Sequence, residues 1–415
     1  MKRALLLLLA FAVGTTSAET ILIRNARVHT ADVAGTIENA SVLIADGVIR
    51  GVGRDITAPV DARIIDAAGR PLTPGLFAGL NQIGLDEVSL EISTVDSAYV
   101  PGATLPSPGI EMRPEFDVTL AFNPESLLIP VARVEGYTFT LLSPQAGAGG
   151  TLIAGQGGIA TLDGIYRSVP ASSRTLFIAM GGGTSVLTGN SRAAQFMLLD
   201  QALRETAPVG ALRDSDPRVL TANGREALAG FVHGGRVVFS VDRAVDIRRA
   251  LDFAKRVGMK PVIAGAVEGW KVIDALKAAD AAVAIDPLQN LPGSFDQLGA
   301  TLDNAARLHA AGITLVITQS GDASHNARKN RQSAGNAVAH GLPWEAALAA
   351  LTANPARVFG VNDRGRIAVG LRADLVLWNA DPLEVSSYAE RVFIEGREQS
   401  TRSRQTELRD RYRLD

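Results

Sequence analysis

Apolar and polar positions alternate at both ends of the chain and fall into a longer period between them. Residues 20–28 alternate as a half-buried strand does, and residues 40–44 form a second apolar run. Asp46-Gly47 is a two-residue hairpin signal ahead of a third strand over residues 48–52. Residues 63–66 add a fourth, and Gly69 closes the segment. The far end behaves alike: residues 373–378 are an apolar β run after Gly370, and residues 391–394 are a further strand ending at Glu395-Gly396. The pattern therefore predicts two β-rich termini.

The middle reads differently. Residues 237–241 form a strand, and residues 245–257 place Ile247, Ala250, Leu251 and Ala254 at helical spacing before the stop at Gly258. Strands over 261–265, 282–285 and 313–318 alternate with helices over 270–279 and 302–311, the second stopped by Gly312. Strands alternating with helices at this spacing predict parallel βα units. Residues 137–142, 152–154 and 175–178 are earlier strands, followed by a helix over 191–203. Together they predict a (β/α) barrel over residues 73–360, with the glycine-rich stretch from Gly147 to Gly158 as a long loop at its mouth. Residues 19–72 and 361–396 then make one composite β-sandwich, and residues 397–415, with six Arg among them, a solvated tail.

Composition narrows the function classes. Hydrophobic residues make up 47% and charged residues 20%, enough apolar material for a large core. The 41 basic and 43 acidic residues leave a net charge of -2, without the basic excess that nucleic acid binding requires. The absence of cysteine excludes disulfides, thiolate metal sites and thiol nucleophiles. Lys2 and Arg3, the apolar residues 4–13 and Thr16-Ser17-Ala18 read as a cleavable leader, cut after Ala18. An apolar run of that length is half of the roughly twenty residues a membrane span needs, so the expectation is a periplasmic or secreted protein without a span.

Histidine is the scarce resource, with five in the chain: His29, His233, His309, His325 and His340. Barrel sites form on loops after the strand C-termini. After the last predicted strand comes Asp322-Ala323-Ser324-His325-Asn326-Ala327-Arg328. Asp322 and His325 are a candidate catalytic acid/base pair, with Arg328 holding an anionic group of a substrate. The alternative is a polar loop whose His and Arg bond to backbone. Asp242 and Asp286, at other strand ends, are candidate substrate-binding carboxylates or weak oxygen ligands for a cation; the alternative is ion pairing between loops. His340 suits a helix C-terminus, His309 lies within a helix and His29 on a strand. The runs at Gly147 and at Gly181-Gly182-Gly183 lack phosphate-cradle spacing, and neither Ser185 nor Ser324 sits in a nucleophile elbow.

Three joining motifs carry a family resemblance. Thr73-Pro74-Gly75-Leu76-Phe77, Thr352-Ala353-Asn354-Pro355-Ala356 with Gly360, and Gly370-Leu371-Arg372-Ala373-Asp374-Leu375-Val376 resemble, in order and spacing, the barrel entry, last barrel helix and sheet return of the amidohydrolase superfamily. The likeness is to its secreted imidazolonepropionase-like or prolidase-like branch. It implies a (β/α)8 TIM-like barrel with a small β-sandwich from both chain ends, and hydrolysis of C–N bonds by one or two divalent metals such as zinc. The family's first-strand motif, Pro-Gly-Leu-Ile-Asp-x-His-x-His, aligns with Pro74 to Gln82. Its Asp is Ala78 here, and its two His are Leu80 and Gln82. Leu ligates nothing, and a Gln oxygen is a poor replacement for imidazole. The family Asp after the last strand falls nearest Ser320, with Asp322 beyond it. No metal site is expected from this inventory. Three functions remain: a degenerate member paired with an active homologue or with itself, an active hydrolase with an atypical site at Asp322 and His325, or a binding protein with a small molecule in the barrel mouth.

Overall fold

The computed structural model describes residues 19–99, 112–146, 150–206, 218–289, 291–321 and 323–413. The expected leader and Asp322 lie outside the described residues. The chain opens with strands β1 (Ile21–His29), β2 (Thr36–Ala45), β3 (Val48–Gly53), β4 (Arg63–Asp66) and β5 (Pro71–Pro74). Between β2 and β3, Asp46 and Gly47 both take positive φ, 54° and 75°, the two left-handed residues that a tight hairpin turn needs.

Strands β6 (Leu76–Asn81), β7 (Tyr137–Leu142), β8 (Ile153–Thr161), β9 (Thr175–Ala179), β10 (Arg236–Val241), β11 (Lys260–Gly265), β12 (Ala282–Ile285) and β13 (Leu315–Ile317) follow one another in a second sheet in chain order. Its seam between the first and last strands is tied by side chains: Leu80 N–H donates to Thr318 Oγ1 at 3.0 Å, and Asn330 Nδ2 to the Ala78 carbonyl at 2.7 Å. Gly79 (φ 99°) makes that approach possible, since a Cβ there would stand 2.8 Å from both Thr318 Oγ1 and Asn330 Nδ2. Most of these strands are buried along their length, as strands of a barrel between core and helices must be. The helix Ala244–Val257 shows how the outer layer forms. Ile247, Ala250, Leu251 and Ala254 are buried, Asp246 lies in its first turn, and Gly258 (φ 72°) ends it left-handed.

The barrel departs from uniform (β/α)8 geometry in one strand. β8 runs antiparallel to both β7 and β9, while the other neighbours are parallel. It begins at the short strand expected over 152–154 and runs on through much of the expected mouth loop, of which residues 147–149 lie outside the described residues; its glycines explain the difference. A Cβ at Gly155 would stand 2.5 Å from the Phe116 carbonyl oxygen, one at Gly157 1.9 Å from that of Leu142, and one at Gly158 2.4 Å from Val169 Cγ1. The glycines are there for close approach of other chain segments to a strand, not for loop freedom.

The chain returns to the first sheet through β14 (Leu375–Trp378), β15 (Ala389–Ile394) and β16 (Arg397–Gln399). β14 pairs antiparallel with β5, Leu375 opposite Pro74 and Leu377 opposite Leu72. Ile21, Ile23, Ile44, Leu375 and Phe393 share the apolar core of this sheet. Residues 397–415, expected as a tail, carry β16 and a helix Arg404–Tyr412 that buries no residue. A reciprocal cap starts that helix: Ser403 Oγ accepts from Thr406 N–H, and Thr406 Oγ1 from Ser403 N–H. Among the described residues no helix is long and apolar enough to cross a membrane.

Candidate functional site

The C-terminal ends of the barrel strands surround a cavity of about 1040 Å³. Leu80 and Gln82 reach it from β6 and the residue beyond it, Ser143 from the end of β7, Asp242 from the end of β10, Gly265 from β11, Asp286 from the end of β12, and Thr318 to Gly321 from the end of β13. Among the described residues no histidine lines it.

Gln82 is buried and its side chain is fully engaged. Nε2 donates to Ser143 Oγ at 3.0 Å and to the Ser143 carbonyl at 3.1 Å, while Oε1 accepts from Ser324 Oγ at 3.2 Å. The backbone N–H of Gln82 donates to the same Ser324 Oγ at 2.9 Å. A carboxamide thus ties the first barrel strand to the second and to the segment after the last. Asp286 is satisfied in the same way: Oδ2 accepts from Ser320 Oγ (2.6 Å), Ser320 N–H (3.0 Å) and Gln319 Nε2 (3.0 Å), and Oδ1 from Leu288 N–H.

Residues 291–299 cross the mouth as a strap. Asp296 accepts from Gly182 N–H and pairs with Arg192 on the β9 side, and Arg192 also meets Asp246 at 3.1 Å. Gln297 Nε2 donates to Asp242 Oδ2 at 2.7 Å. Gly299 N–H donates to Glu268 Oε1, which also takes Lys271 Nζ at 2.6 Å, and the Gly299 carbonyl accepts from Trp270 Nε1 at 2.8 Å. Burial pushes the Asp242 carboxyl above its ordinary range, with the negative charges of Asp296 and Glu268 adding to the shift against the Gln297 hydrogen bond. Burial acts on Glu268 too, but the Ala244 N–H and the Lys271 ammonium hold that carboxyl below its ordinary value.

The sequence candidates separate in space. Asp242 and Asp286 line the cavity; His325, in the short helix Ala323–Asn326, and Arg328 are exposed and are not among its lining residues. The Arg328 carbonyl accepts from the Tyr137 hydroxyl at 3.3 Å. His29 packs against Trp344 with ring centroids 4.5 Å apart and planes tilted by 45°, and His340 caps the helix Asn330–Ala339 at its C-terminus. Sequence reasoning did not single out Ser143, Arg192, Asp296 or Gln297. Ser143 was within reach, because it follows a legible strand at the end where barrel sites form. The strap residues carry no periodic signal.

A barrel whose strand ends enclose a cavity, joined to a sheet made from both chain ends, defines the fold class. The Amidohydrolase family model matches residues 322–398. A solved amidohydrolase from Thermotoga maritima superposes with a TM-score of 0.78 at 24% identity, covering 92% of this chain and 100% of that one. An imidazolonepropionase of Cereibacter sphaeroides is 37% identical over 100 residues, 23% of this chain and 25% of that protein. An N-acyl-D-glutamate deacylase of Alcaligenes xylosoxydans xylosoxydans is 62% identical over 40 residues, 10% of this chain and 8% of that protein. The matched segments span a quarter or less of these curated relatives. The C-terminal match and the shared fold make the chain similar to amidohydrolases.

Members of that family usually hold a divalent metal. The residues at these strand ends do not fit one. Leu80 has no donor atom, both ends of the Gln82 carboxamide are occupied, and Asp286 is saturated by N–H and O–H groups. Among the described residues there is no group of three or more His, Asp or Glu side chains placed to hold a metal ion.

Proposed function

We propose that this protein is a catalytically degenerate amidohydrolase that keeps the barrel and its mouth cavity without the metal chemistry. The observation that carries the reading is the Gln82 clamp. At the position where the family places an imidazole, a carboxamide is held on one side by Ser143 and on the other by Ser324. A metal-assisted hydrolase needs a polarising ion to lower the pKa of a bound water, and needs free lone pairs to hold that ion. Here those lone pairs are used to close the barrel. The cavity remains, and Asp242 and Asp286 line it as substrate-class or ligand contacts. Export through the leader of residues 1–18 belongs to the same reading, as does pairing with a second copy or with an active homologue.

Elemental analysis tests the proposal. After dialysis against a weak chelator the purified protein is expected to hold well under one zinc, manganese or iron per chain. About one per chain, with metal-dependent amide hydrolysis, would overturn the degenerate reading. Metal-free hydrolysis that is lost in His325→Ala would favour the acid/base pair Asp322 and His325 instead.

A further inference from the structure

We propose that the mouth cavity binds a small protonated amine, with Asp242 as its counter-ion. The assignment rests on the metal-free reading of that cavity and goes on to name the ligand's charge and head group.

Among the described residues four charged side chains line the cavity: Arg192, Asp242, Asp286 and Asp296. Three of them are spent within the protein. Arg192 is shared between Asp246 and Asp296, Asp296 takes in addition the Gly182 N–H, and Asp286 receives four donors. Asp242 stands apart. Its Oδ2 accepts from the neutral Gln297, and its Oδ1 has only the Val267 N–H at 3.4 Å, beyond a good hydrogen bond. Among the described residues no Lys or Arg pairs with it. A part-buried carboxylate with one oxygen so poorly served is costly unless an ionic or N–H partner arrives.

The backbone of β11 makes room for that carboxylate. β11 ends at Gly265 (φ 91°), and a Cβ at that position would lie 2.3 Å from Asp242 Oδ1. The carboxylate rests over a strand end from which the side chain has been removed. Ser240 stands two residues before Asp242 and so on the same side of β10; it too lines the cavity and is exposed. A primary ammonium carries three donors, so it can satisfy Oδ1 and still reach a neighbouring hydroxyl or carboxamide. Phe177 and Phe295 also line the cavity and offer aromatic surface to a cation. The same inventory selects against acids. Among the described residues the one lining cation is already shared between two aspartates, so a carboxylate ligand would face three acids without a free positive charge among them.

Isothermal titration of the full-length mature protein with three ligands of one carbon skeleton tests this: 1,4-diaminobutane, butane-1,4-diol and succinate. The diamine is expected to bind at least tenfold more tightly than the diol, with no heat from succinate. Asp242→Asn is expected to weaken the diamine tenfold or more at an unchanged melting temperature. No binding of the diamine, succinate or the diol binding as well as the diamine, or undiminished binding to a folded Asp242→Asn would each overturn the assignment. The ranking of the three ligands on the unaltered protein needs no variant, so a misfolded Asp242→Asn leaves the test intact. Failure of this ranking in a metal-free, inactive protein refutes the amine alone, whereas metal-dependent hydrolysis refutes the degenerate reading itself.

Discussion

Gln82 illustrates how much one residue can decide. Its backbone N–H, its amide nitrogen and its amide oxygen all bond across strand boundaries, to Ser324 and Ser143. Truncation would leave both serine hydroxyls short of a partner in a buried place. Gln82→Ala is therefore expected to cost about 1–3 kcal/mol, the penalty for buried polar groups left unpaired. Chemical denaturation of the two proteins measures it, and an unchanged midpoint would show the clamp to be incidental. At this scale the sequence was legible in what it lacked: the missing histidines at Leu80 and Gln82 could be read directly. What replaced them could not, because Ser143 and Ser324 are remote in the chain and common in type.

Among the elements, the regular ones were readable, and β8 was readable only at its start, where residues 152–154 suggest a short strand. The helix Ala244–Val257 shows its apolar stripe and its glycine stop in the sequence, and so does the hairpin at Asp46-Gly47. In β8 the run Gly155-Gln156-Gly157-Gly158 carries no alternation, since those positions are empty to admit Phe116, Leu142 and Val169. Propensity spoke for a loop and tertiary approach overrode it. Gly157→Ala tests that account. With the Leu142 carbonyl 1.9 Å from the new methyl position, strain of about 1–3 kcal/mol or more is expected, the range for overpacking a filled interior. A melting temperature equal to that of the unaltered protein would refute it. The strap is an intermediate case: the residues on its barrel side stand at strand ends, where a site is expected, but Asp296 and Gln297 belong to a loop without pattern.

For the molecule as a whole, the contact between sheet and barrel should respond to acid. His29, on β1, packs its ring against Trp344 of the helix Trp344–Ala350 and bonds through Nδ1 to Thr36 Oγ1 at 2.8 Å. Burial lowers its pKa below the ordinary 6.5, Arg27 adds to the lowering, and Asp381, Glu38 and Glu345 oppose it. Between the folded and unfolded values the unfolded chain binds the extra proton, so stability rises with pH there and is lost as pH falls through that interval. The melting temperature is expected to drop below about pH 6.5, where free histidine begins to charge, and to drop less in His29→Asn. Identical pH profiles for the two proteins would exclude His29 as the responsive group.

The pairing of β5 with β14 has a further consequence, for the order in which the protein can mature. Leu72 pairs with Val28 on one side, but the other edge of β5 finds its partners, Val376 and Leu377, only after every barrel strand has been made. Until then the emerging chain carries an unclosed sheet edge and an apolar face that awaits Leu375 and Phe393. A nascent chain in that condition exposes a strand edge on which holding factors can act.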